Sequence, residues 1–172
     1  MLGLGRETTA RVLASGLAGA PVRTAAATLY DADRVAALRD RPEATVALVR
    51  RTSPEGLPVA RPDPRRAGPE GPWRASLVTA ACFAILAREH GGVPLVATVR
   101  PYVLSCHDVV GVEWTRTAER GRHASKATMR LTAARTWQEE LAGTLLRTPP
   151  GHPLLAWQCP LLPNHPRRTR TR

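Results

Sequence analysis

The sequence predicts an α+β fold, and three features of the chain carry that reading. Apolar residues recur at helical spacing over residues 6–17, 32–41, 75–89 and 133–146. Short runs rich in Val, Leu and Thr fill 94–114 and read as strands. Residues 52–72 hold Pro54, Pro58, Pro62, Pro64, Pro69 and Pro72 with Arg61, Arg65 and Arg66, which sets them apart by composition. The expectation is a helix–hairpin–helix unit at 1–51, a Pro/Arg-rich linker at 52–72, a small α+β unit at 73–158 and a basic, disordered tail at 159–172.

Residues 6–17 place Leu4, Ala10, Leu13 and Leu17 near one helical face, and Gly16 and Gly19 end the helix. Residues 21–30 contain Val22, Thr24, Thr28, Leu29 and Tyr30 and suit a short hairpin. Asp31 is a good N-cap for a second helix over 32–41, with Val35 and Leu38 inward and Pro42 as its stop. Residues 44–51 alternate Val46 and Leu48 with polar or small neighbours and read as a strand. The prolines of 52–72 leave too little apolar area to offset the entropy of ordering, so this stretch is expected to be mobile.

The second unit begins with an uncharged apolar run at 75–87, too short for a bilayer, which needs about 20 residues. It reads as a buried helix closed by Gly91 and Gly92. Strands are expected at 94–99, 102–106 and 109–114, a polar loop at 115–126, and a short strand at 129–131. Trp137, Leu141 and Leu145 then share one face of a helix at 133–146, before a turn at 148–153 and a last strand at 154–157.

The formal net charge is +11, and Lys126 is the one lysine among 25 basic residues. Such a charge favours polyanionic partners, because contact with phosphates releases counterions. The excess of Arg, Ala, Gly and Pro also fits a genome rich in G and C, so charge alone leaves a second reading open. In that reading the chain is a non-catalytic protein-interaction module. Cys82, Cys106 and Cys159 are odd in number and widely spaced, which fits neither a disulfide framework nor a common zinc site. A reducing cytoplasm is the expected compartment, and no leader with a cleavage site is read at the N-terminus.

Residues 5–38, GRETTARVLASGLAGAPVRTAAATLYDADRVAAL, carry the most specific pattern. A helix opens with Arg and Thr, closes at Gly-Leu-x-Gly, passes a hairpin ending in Tyr30 and enters a capped helix. This resembles the excisionase or MerR-like winged helix-turn-helix of small actinobacterial DNA-binding proteins. The match is partial and lacks the motif's first helix, which would lie upstream of Met1 or be replaced by another element. The resemblance implies that 1–51 is a winged helix-turn-helix-like unit, with 6–17 as its recognition helix. Arg6, Thr8, Thr9 and Arg11 would then face base edges or phosphates, and Arg23 would anchor the wing on the backbone. The physical chemistry agrees: a helix N-terminus offers free N–H groups to phosphate, and arginine bridges two acceptors of guanine. Arg65 and Arg66 in the linker and Arg167, Arg168, Arg170 and Arg172 in the tail would add contacts without sequence preference. Residues 92–114, the Trp137 helix and Pro149 to Pro153 resemble the second half of uncharacterised actinobacterial proteins of this type, which implies no activity.

The implied function is DNA binding, as a transcriptional regulator or an excisionase-like accessory factor. The expected partners are DNA and, as an open alternative, a second copy of the chain; no membrane, cofactor or small-molecule substrate is expected. Cys106, His107 and Asp108 form the one local trio of nucleophile, base and carboxylate. Adjacent strand residues face opposite ways, so they do not make a triad by themselves, and no enzyme is expected. His90, His107, His123, His152 and His165 are scattered, without metal-ligand spacing. No GxxxxGK[ST] or GxGxxG occurs.

Overall fold

A computed structural model describes residues 2–45, 48, 57–65, 67–119, 122–133, 138–148 and 154–157. The described residues form an α+β structure. Its N-terminal part is helix α1 (Arg6–Ala14), a hairpin of β1 (Val22–Arg23) and β2 (Thr28–Leu29), and helix α2 (Ala32–Arg39). The hairpin pairs Val22 with Leu29 and Arg23 with Thr28, and both strands are exposed. The Asp31 carboxylate accepts from the backbone N–H of Asp33 at 2.9 Å and of Arg34 at 3.0 Å, which satisfies two free donors at the start of α2.

The larger part is a sheet of β3 (Leu57–Ala60), β4 (Trp73–Arg74), β5 (Val93–Val99), β6 (Tyr102–Glu119), β7 (Arg122–Ala133) and β8 (Leu154–Trp157). Its described order is β4-β7-β6-β5-β3-β8, parallel between β3 and β5 and antiparallel elsewhere. Helix α3 (Leu77–His90) lies in the connection from β3 to β5. The Ser76 hydroxyl caps it by accepting from the Thr79 N–H at 3.1 Å. Gly91 ends it at φ 68, a left-handed conformation that glycine adopts without steric cost.

The centre of the sheet is covered on both sides, which is why β5 reads as an almost unbroken apolar run. Phe83, Leu86 and Ala87 of α3 pack with Trp73, Val93, Leu95, Val109 and Met129. A second cluster joins Val59, Val96, Val103 and Cys106 to Leu141 and Leu146, with Ala44 and Leu48 against it. A third joins Val12, Ala18 and Leu38 of the N-terminal part to Val99 and Tyr102 at the β5–β6 turn. The N-terminal helices therefore share a core with the sheet and do not hang from a tether.

Four expectations change. Within 52–72, Leu57–Ala60 is a strand of the sheet, and Val59 and Ala60 are fully buried, so this part is no linker. Pro58 is tolerated because β3 pairs with β5 only at Val59 and Ala60; at Pro58 the one partner is Ala156 of β8. The expected strands at 102–106 and 109–114 are one strand, β6, bent by a bulge between Val109 and Gly111. The expected loop at 115–126 continues the β6–β7 hairpin, with Thr115 opposite Lys126 and Glu119 opposite Arg122. Finally, of the helix expected at 133–146, Ala133 ends β7, 134–137 lie outside the described residues, and α4 (Gln138–Leu141) is helical but stops there. Beyond it the backbone bonds outward: Leu145 N–H donates to the Pro42 carbonyl and Leu146 N–H to the Pro101 carbonyl. Those partners take the place of helical bonds and stitch this segment between the N-terminal part and the sheet. Of the strand expected at 44–51, only 44, 45 and 48 are described, and Arg66, Trp137 and the tail lie outside the described residues.

Candidate nucleic-acid interface

Helix α1 begins at Gly5, which has no side chain to cap the first turn. Arg6 next to it is exposed, and Thr8 is half-buried. The Thr9 hydroxyl reaches back toward the Leu4 carbonyl at 3.5 Å, which anchors the entering chain. Arg11 is turned inward: its Nη2 donates to the Pro62 carbonyl at 2.9 Å. Its role is thus to tie α1 to the chain following β3, rather than to reach a base. Arg23 stands on the exposed hairpin.

Arg65 is bound locally. Its Nε and Nη2 donate to the Asp63 carboxylate at 3.0 and 3.1 Å, and Glu7 of α1 lies 3.9 Å away. This pairing holds the Asp63 carboxyl below its ordinary range and raises the Arg65 guanidinium. The positive charge of Arg65 is therefore largely answered at home. Arg66, Arg167, Arg168, Arg170 and Arg172 lie outside the described residues.

Sequence reasoning missed a second basic group beside Thr8. A cavity of about 320 Å³ is lined by Leu4, Thr8, Arg100, Pro101, Leu146, Arg147 and Thr148. The β5–β6 turn supplies Arg100, and the Leu146–Pro101 backbone bond brings Arg147 and Thr148 alongside. Behind them Arg61 is buried and donates through Nη2 to the Thr148 hydroxyl. Burial, and then the nearby charge of Arg100, lower the Arg61 pKa. Arg147 pairs with Glu43. These residues come from four segments far apart in sequence. The one local clue was an Arg-Pro pair between two apolar strands.

The Cys106–His107–Asp108 trio is split by the strand pleat, as expected of neighbours on β6. Cys106 faces the second core cluster, and burial pushes its thiol up to about 12. A thiol so reluctant to ionise is a poor nucleophile. Cys82, half-buried on α3, is expected to react with iodoacetamide at pH 8 well before Cys106. Peptide mapping of a timed labelling series reads this order, and faster labelling of Cys106 would reverse the assignment.

His107 shares its face with Ser105, whose hydroxyl lies 2.9 Å from His107 Nε2. Burial lowers the His107 pKa, outweighing the opposite effects of Glu70 and the Thr132 carbonyl. A histidine depressed in the folded state binds its proton more readily when unfolded. Its contribution to stability is thus complete above the ordinary value of 6.5 and declines as pH falls below it. Urea midpoints at pH 7.5 and 5 should differ less in His107→Gln than in the parent; an equal difference would assign the acid sensitivity to other groups.

Among the described residues no cluster of His, Cys, Asp and Glu is arranged to hold a metal ion, and no helix is long and apolar enough to cross a membrane. Comparison with protein-family models, with curated proteins and with solved structures returns no match for this chain.

Proposed function

We propose that this protein binds DNA without catalysing a reaction, with α1 as the element presented to the duplex. The observation that carries the reading is the start of α1. An uncapped helix N-terminus, with exposed Arg6 beside it, belongs to a chain of net charge +11. The exposed hairpin bearing Arg23 supports it, as a second projection suited to the duplex backbone. Arg6 and Thr8 then contact the groove or its phosphates, Thr9 fixes the entry to the helix, and Arg11 holds the helix on its support. The role is that of a transcriptional regulator or an excisionase-like accessory factor acting in the cytoplasm, in line with the winged helix-turn-helix resemblance. No cofactor enters the reading.

The test is fluorescence anisotropy with a random duplex and with a pool of genomic fragments, across a salt series. It is run on the full chain and on the chain ending at residue 166. Binding that survives removal of the tail, prefers some fragments and has a salt slope of several charges supports the proposal. Binding that vanishes with the tail rejects it, since the charge would then act only as a basic arm.

The second reading, a protein-interaction module, is favoured by one feature. Leu77, Val78 and Ile85 of α3 are 58, 60 and 47 % exposed. Loss of all DNA binding with the tail, together with a concentration-dependent mass in solution, would select that reading over the first.

A further inference from the structure

We propose that the cavity beside α1 is an oxyanion site that takes a phosphate group, clamped by Arg100 and Arg147 and contacted by the hydroxyls of Thr8 and Thr148. The proposal rests on the DNA-binding reading only for the source of the phosphate.

Four observations support it. First, the lining is chemically biased. Leu4, Pro101 and Leu146 supply apolar surface, and among the described residues every polar side chain on the wall is an arginine or a threonine. Guanidinium groups offer forked donors that match phosphate oxygens, and hydroxyls add single donors. Second, like charges are gathered here at a cost. Arg61 is 9 % exposed, and the charge of Arg100 acts against its own protonated form. The Glu43 carboxylate pairs with Arg147. Of the two guanidinium groups on the wall, that of Arg147 is answered by Glu43, and a bound phosphate group would answer that of Arg100.

Third, Thr148 and the backbone of the wall are held in place. Arg61 donates to Thr148, so the hydroxyl of Thr148 is fixed from behind. Backbone bonds from Leu145 and Leu146 to Pro42 and Pro101 set the segment that carries Arg147 and Thr148. A site with its donors fixed in advance loses less entropy when it captures its ligand. Fourth, the volume is at the lower end for a small-ligand site, about 320 Å³. That is room for a phosphate group and its ester, and too little to enclose a large cofactor.

The same chemistry admits two sources, a backbone phosphodiester of DNA or a free phosphate or phosphomonoester. Thr8 lies on α1, so a duplex seated on that helix would bring its backbone past the mouth of the cavity.

The experiment uses the full chain, the double variant Arg100→Gln/Arg147→Gln, and Glu43→Gln. Inorganic phosphate is titrated against chloride at equal ionic strength, and the melting temperature is followed. The same proteins are then titrated onto a random duplex across a salt series. The parent should melt higher in phosphate than in chloride, the double variant should lose that difference, and Glu43→Gln should enlarge it by releasing Arg147. The gain in Glu43→Gln is a sign that misfolding cannot imitate. If the double variant also lowers the salt slope on the duplex by about one to two charges, the backbone is the source. If its duplex binding is unchanged while the phosphate effect is lost, the site serves a free phosphate compound. A phosphate effect in a parent that binds no duplex keeps the pocket and removes the DNA reading. No difference between phosphate and chloride in the parent, with an unchanged slope in the double variant, overturns the proposal.

Discussion

Replacing Leu95 with alanine is expected to cost about 2–5 kcal/mol of folding stability. Leu95 is fully buried at the middle of β5, where the strand lies opposite His107 of β6. Its side chain belongs to the cluster built from Trp73, Phe83, Leu86, Val109 and Met129, which fastens α3 to the sheet. The substitution removes buried methylene and methyl groups and leaves a void that the surrounding strands cannot close without disturbing their pairing. A domain of this size has about 5–15 kcal/mol in all, so the loss is a large share of the total. In urea the midpoint should fall while the slope stays the same, since the surface exposed on unfolding is unchanged. A loss below about 1 kcal/mol would mean that α3 does not rest on β5 as described.

The parts of this fold that the sequence declares are those with local causes. The starts of α2 and α3 are marked by Asp31 and Ser76, whose side chains do cap them, and Gly91 marks the end of α3. Asp31 and Gly91 stand out in the sequence as a cap and a break, whereas Ser76 is hidden at the head of an apolar run. What escaped depends on distant partners. Leu57–Ala60 sits among prolines and has no alternation to announce it, yet β5 and β8 on either side make it a strand. At the start of 115–126 the β6–β7 hairpin has left the covered centre of the sheet. Thr115 and Arg116 are exposed, so period-2 burial has nothing to write there. The end of the expected 133–146 helix was lost to competition, since its backbone groups find partners at Pro42 and Pro101.

The candidate site divides the same way. Arg6 and Arg23 are exposed. Arg11, on the helix the resemblance points to, and Arg65, expected from its charge, are both committed within the protein, to the Pro62 carbonyl and to Asp63. Counting arginines cannot separate a cation that faces solvent from one that serves as a brace. The group at Arg61, Arg100, Arg147 and Thr148 was invisible for the opposite reason: nothing in the sequence places these positions together.

That division sets up the second large effect, the contrast between Arg6→Ala and Arg11→Ala. Arg6→Ala should weaken binding to a preferred duplex by roughly 1–3 kcal/mol and leave folding stability nearly unchanged. In dissociation constants this is about 5- to 150-fold. The exposed side chain of Arg6 has no described partner to lose, so only the complex is affected. Arg11→Ala removes the bond to the Pro62 carbonyl, 51 residues away in sequence, and should lower the urea midpoint. Its effect on DNA should then appear as a fall in affinity for all duplexes alike, because the helix is less firmly held while its reading face keeps its chemistry. Anisotropy on a preferred and a random duplex, with urea curves for both variants, separates the two roles. If Arg6→Ala lowers both affinities equally, Arg6 contacts a phosphate and carries no sequence information. If it changes neither, α1 is not the element that meets DNA, and the helix serves only to cover Val99 and Tyr102 at the end of the sheet.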